Sequence, residues 1–191
     1  MSEIDTRLAA FLKRMAPVKE TLPLEEIAEK LMEMGFFTAP ASACYHGNWE
    51  GGLFEHSMNV TNSLVELTER MGLKWMRPES PYIVGMFHDL CKCDQYEREI
   101  TGHDRNGDAR YSEAWGYRND MLLKGHGEKS VMLAATLTEL TYEEVLCIMY
   151  HMGAFVPKEE WNNYTRAIHY FDNVLWTHTA DMVAAHIKEV P

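Results

Sequence analysis

Six side chains in this sequence can ligate a metal and sit where such side chains are costly: His56, His88, Asp89, His126, His151 and Asp181. His88 and Asp89 belong to the stretch FHDLCK, which directly follows the apolar run YIVGM. A carboxylate buried there without a partner costs several kcal/mol, so something must compensate its charge. His56 shares a helical stripe with Val60, Leu64 and Leu67, at i, i+4, i+8 and i+11. Asp181 aligns in the same way with Val174, His178 and Ala185. His151 ends an apolar stripe with Cys147 and Ile148, and His126 stands between two glycines. A single histidine on an apolar face is usually a hydrogen-bonded core residue. Four histidines and two acids, most of them on such faces, share one explanation, a centre of divalent metal ions. Imidazole and carboxylate donors suit Mn, Fe, Co, Ni or Zn, and the absence of cysteine among the six argues against a soft thiolate site.

Helices must position these residues. Residues 4–15 and 24–34 carry helical periodicity, the second flanked by Pro23 and Gly35. Residues 38–52 are small and Gly-rich and read as a loop. Leu53 to Met71 reads as a long helix closed by Gly72. Ser80 and Pro81 read as the N-cap and first residue of a helix that carries YIVGMFHDLC. Residues 93–120 are polar and irregular, with room for a short hairpin at Asn106-Gly107. A loop of that length between two ligand segments is the candidate lid or specificity element. A further helix runs from Gly127 to about Leu140. Thr141 and Glu144 form a capping box that opens another, ending near Gly153. Residues 158–171 and 173–189 supply the last two. With no strong strand signal, the expected fold class is all-α, an irregular helical bundle forming a single domain over residues 1–191.

Composition narrows the function. An apolar fraction of 46 % over 191 residues is enough for one sizeable core. No apolar run approaches the ~18 residues that would mark a membrane span. The opening MSEIDTRLAAFLKRM lacks the apolar core of a secretory signal, so a cytoplasmic location is expected. Cys44, Cys91, Cys93 and Cys147 make no CxxC pair and read as reduced thiols. A net charge of −11 excludes general nucleic-acid binding, which depends on Lys and Arg neutralising phosphates. It leaves room for a small phosphorylated ligand whose charge is met by metal ions.

The order H…HD…H…H…D resembles the HD-domain superfamily of metal-dependent phosphohydrolases. GGLFEHSMNV looks like that family's first-histidine helix and FHDLCK like its HD-x-x-K segment. KGHGEKS resembles the third-histidine turn, YHMG the fourth, and HTADMVA the final aspartate helix. The resemblance covers about residues 50–185, with helices in residues 1–37 expected to pack on that core. It implies that His56, His88, Asp89 and Asp181 hold one divalent metal, and that His126 and His151 hold a second with Asp89 bridging. Cys91 stands where relatives often have glycine. The implied activity is hydrolysis of a small phosphomonoester or phosphodiester, such as a nucleotide, by hydroxide generated on two divalent ions (Mn, Fe, Co, Ni, Zn or Mg).

Lys92 lies four residues after His88 and three after Asp89, on the same helical side, where it could meet a bound anion. A solvated helix-end lysine is the alternative. Lys124, Lys129 and Arg118 are further candidates for charge neutralisation, with ordinary surface roles as the alternative. Tyr45 could stack a base, whereas Trp49 reads as an aromatic packed under the loop. Two other functions share the ligand order: a di-iron oxygenase resembling myo-inositol oxygenase, and a non-catalytic module with a structural metal.

Overall fold

The computed structural model describes residues 2–189. Its first helices are α1 (Glu3–Met15), α2 (Leu24–Glu33), α3 (Gly52–Met71) and α4 (Ser80–Phe87). A two-stranded antiparallel ribbon follows, β1 (Tyr96–His103) and β2 (Ala109–Tyr117). Then come α5 (Gly127–Ala134), α6 (Tyr142–Met149), α7 (Trp161–Tyr170) and α8 (Asn173–Val183). The chain is mostly helical, but the ribbon makes it not purely all-α. No helix among the described residues is long and apolar enough to cross a membrane.

The ribbon forms where the hairpin signal stands. Asp104 Oδ1 accepts the N–H of Asn106 (2.8 Å) and of Asp108 (3.0 Å), while Gly107 takes a φ of 89°. One face carries Tyr96, Ile100, Tyr111, Trp115 and Tyr117, but Arg98 and Glu113 interrupt it and no strand residue is fully buried, so the apolar alternation is weak in sequence.

One apolar core joins the N-terminal helices to the rest. Phe11, Phe36, Phe37 and Phe54 pack ring against ring, with centroids 5.4 to 6.0 Å apart. Helix α4 crosses α3 at Gly85, where an added Cβ would come within 2.6 Å of the Thr61 backbone. The expected capping box at Thr141 and Glu144 is present. The Glu144 carboxylate, fully buried, also accepts from Arg77 Nε and Nη2 and from Ser80 Oγ, each at 2.8 Å. That use of Ser80 explains why it is the first residue of α4 and not its cap; Glu79 occupies the cap position. Glu143 accepts from Met76 N–H (2.6 Å) and Asn173 Nδ2 (2.8 Å), tying α6 to α8.

Candidate metal centre

Helix α4 ends at Phe87, sooner than periodicity suggests. Asp89 leaves helical geometry, with φ −114° and ψ 22°, and a 3-10 turn over Leu90–Asp94 follows. This break rotates His88, Asp89 and Lys92 toward one side. Helix α3 brings His56, the turn just after α6 brings His151, the turn before α5 brings His126, and α8 brings Asp181. All six candidates meet. Two close approaches of glycine to backbone allow this: Gly85 on Thr61, and Gly127, whose added Cβ would collide with the Met149 carbonyl.

The two oxygens of Asp89 face different groups. Oδ2 lies 3.5 Å from His88 Nε2, 3.6 Å from His56 Nε2 and 2.7 Å from Lys92 Nζ. Oδ1 lies 3.3 Å from His151 Nε2 and 4.0 Å from His126 Nδ1. Asp181 Oδ1 stands 3.1 Å from His56 Nε2 and 4.0 Å from His88 Nε2.

Hydrogen bonds on the far side of three rings fix what they present. His88 Nδ1–H donates to the Gly85 carbonyl (2.9 Å) and His151 Nδ1–H to the Ile148 carbonyl (2.7 Å). His56 Nδ1–H donates to Glu189 (3.1 Å). In the neutral rings each Nε2 therefore offers its lone pair inward, toward carboxylates that are themselves acceptors. His56 and His88 bring their Nε2 atoms within 3.3 Å of one another. His151 Nε2 is buried and has no hydrogen-bond partner. Acceptors converging on acceptors fit a site for cations, and the mixed imidazole–carboxylate set fits divalent transition metals.

The protonation pattern follows from the same crowding. Burial works against a charged His56, but hydrogen bonds to Asp181 and Glu189 prevail and raise it to about 9. A proton on His56 thus offsets part of the carboxylate charge gathered around it. Burial opposes the Asp89 charge, yet Lys92 and the neighbouring histidines hold that carboxyl well below its usual range. Asp181 is depressed in the same way, by His56 and His88. Burial lowers His126, which is partly exposed.

A cavity of about 870 Å³ opens onto the cluster. Asp89, Lys92, His126 and Asp181 line it, together with Tyr45, Trp49, Tyr96, Tyr117 and Phe155. Lys92 is the one lysine or arginine among the described lining residues. Its ammonium is paired with Asp89 and raised by that charge against the effect of burial.

The other basic candidates lie elsewhere. Lys129 is buried but its Nζ is taken by Asp94. Arg118 holds Asp120 (3.0 Å) beside the ribbon, and Lys124 is exposed outside the cavity lining. Trp49 is 43 % exposed and lines the cavity, so it is not packed away under the loop; its Nε1–H donates to Glu55. The ribbon brings Tyr96 and Tyr117 to the cavity, with ring centroids 5.1 Å apart.

Three participants escape sequence reasoning. Glu189 follows a π-helical turn over Ala184–Lys188 that reseats the end of α8, so its carboxylate reaches both His56 and Asn59 Nδ2 (3.0 Å). His46 stacks near His56, at 5.1 Å between centroids. Cys91 faces His126. No protein-family model matches the chain, and no curated protein or solved structure matches it significantly.

Proposed function

We propose that this chain is a metal-dependent phosphohydrolase of HD-domain type, acting on a small phosphoester such as a nucleotide. The observation that carries the proposal is the convergence of His56, His88 and His151, each with Nδ1–H engaged behind and Nε2 facing Asp89 or Asp181. The five motifs in order support it independently. His56, His88, Asp89 and Asp181 would hold one divalent cation, and Asp89, His126 and His151 a second. When bound, such cations supply Lewis acidity: they acidify a water ligand and neutralise phosphoryl charge.

The chain's own groups do the rest. Asp89 offers one oxygen to each half of the centre. Glu189 and the Gly85 and Ile148 carbonyls keep three imidazoles in the ligating tautomer. Lys92 stands in the cavity wall, where its ammonium offsets charge on phosphoryl oxygens in the transition state. Tyr45, Trp49 and the Tyr96–Tyr117 pair offer apolar faces to the organic part of the ester, and the ribbon forms one side of the entrance.

The test is elemental analysis of protein purified without chelator, followed by a phosphomonoester and phosphodiester panel with the metal found. Turnover that disappears on chelation and returns with that metal is the expected result. Oxygen uptake, measured alongside, separates the oxygenase: oxygen consumption without cleavage of any phosphoester would overturn the hydrolase. Absence of any bound metal would overturn both.

A further inference from the structure

The cluster contains a donor outside the six. Cys91 lies in the 3-10 turn two residues after Asp89 and has no exposed surface. Its Sγ stands 3.3 Å from His126 Nδ1 and 3.8 Å from Asp89 Oδ1. The same oxygen is 3.3 Å from His151 Nε2, the buried nitrogen that lacks a hydrogen bond. Two donors on one tetrahedral ion, at roughly 2.0–2.3 Å each, stand about 3.3–3.8 Å apart. Sulfur to His126 Nδ1 and sulfur to Asp89 Oδ1 fall on that scale, and His126 Nδ1 stands 4.0 Å from the same oxygen, so these three donors lie within reach of one ion. The Cys91 backbone N–H donates to buried Ser130 Oγ (3.1 Å), which pins the turn and with it the direction of the sulfur.

We propose that Cys91 is a metal ligand: its sulfur joins Asp89 Oδ1 and His126 around one cation. The inference rests on the cluster being a metal centre, and it adds a property the six residues lack. A thiolate makes this position prefer Zn²⁺, Co²⁺ or Fe²⁺ over Mn²⁺ or Mg²⁺. On binding, the S–H bond breaks, a sulfur–metal bond forms and the proton leaves to solvent. The competing role for Cys91 is a thiol that donates to His126 Nδ1 and orients its ring.

Cobalt substitution of the full chain decides between them. Wild type, Cys91→Ser and Cys44→Ser are loaded with Co²⁺ and followed by absorption spectroscopy and elemental analysis. Cys44 is the control because it also lines the cavity. Wild type and Cys44→Ser should show a near-ultraviolet thiolate-to-cobalt charge-transfer band. Cys91→Ser should lose the band yet keep visible bands from cobalt on nitrogen and oxygen. Its Zn²⁺ affinity should fall at least about tenfold, the lower end of the loss when even an outer-shell partner is removed. Should Cys91→Ser not fold, a chain with Cys44, Cys93 and Cys147 all replaced by serine must keep the band. Two bound cobalt ions without the band in wild type, or a band surviving in Cys91→Ser, would overturn the thiolate ligand and leave the metal centre standing. A wild type that binds no cobalt would overturn the metal centre, and the thiolate with it.

Discussion

Lys92 Nζ lies 2.7 Å from Oδ2 of Asp89, the oxygen that also faces His56 and His88. The lysine therefore stands beside one half of the cluster and away from the Oδ1 side. A cation between Oδ2 and the two imidazoles would compete with the ammonium for the carboxylate, leaving Lys92 free to meet an anionic substrate.

Replacing Lys92 with alanine should accordingly leave metal content intact, since a competing positive charge is removed. Turnover should fall roughly a hundredfold or more, the scale for losing a preorganised transition-state donor. Steady-state kinetics on the active phosphoester check this. A rise in KM with unchanged kcat would assign Lys92 to ground-state binding, and unchanged constants would remove it from the reaction.

Asp89→Ala should cost both ions at once, because each half of the centre depends on one of its oxygens. Wild type under metal-replete conditions should hold two divalent ions per chain, and the variant should lose most of both together with hydrolysis. Elemental analysis reads the outcome. At most one ion in wild type, or full occupancy in the variant, would contradict a bridged pair.

The chelated protein should show a distinctive pH dependence. His56 is raised from 6.5 to about 9 in the folded chain, so its contribution is fully present below pH 6.5 and lost as pH rises through about 9. Asp181 is depressed below 3.8, so its contribution is present above that value and lost as pH falls below it. Thermal melts of metal-free protein should thus give the highest Tm between these limits and decline toward pH 9. Adding Zn²⁺ should abolish the alkaline decline, because a cation replaces the proton. A metal-free Tm that rises from pH 6.5 to 9 would refute the assignment.

A fourth expectation concerns the frame and not the site. Arg77→Ala leaves the fully buried Glu144 carboxylate without its guanidinium partner. Loss of stability of about 3 kcal/mol or more is expected, the usual result of orphaning a buried charge. Urea denaturation measures it, and a change below about 1 kcal/mol would mean that Ser80 and the Thr141 N–H suffice.

What the sequence reveals and hides follows physical lines. His56, His88 and Asp181 are legible because ionisable groups on apolar helical stripes violate the ordinary cost of burial. Thr141 and Glu144 are legible because a capping box is a local pattern. Glu189 is hidden because its reach to His56 depends on a π turn that shifts the helix phase after Val183. Cys91 is hidden because a buried thiol is an ordinary core residue unless a partner such as His126 is brought to it from another segment. Lys129 and Lys92 look alike in sequence, each within four residues of a candidate ligand histidine. Asp94 captures the first and Asp89 the second, a distinction made only by the 3-10 turn that carries both acids' neighbours.

The scattering of the candidate ligands along the chain has a kinetic consequence under the proposed function. Apart from the short run His88 to Cys91, the donors are separated by tens of residues and come from α3, the turn before α5, the end of α6 and α8. An unfolded chain therefore offers a cation little beyond isolated side chains, and the site exists only after distant helices have docked. Loading must come after assembly. Cations should slow unfolding, since they bind the finished structure, and leave the rate of refolding almost unchanged. The metal would act as a latch that closes last, setting how long the native state survives without deciding how it is reached.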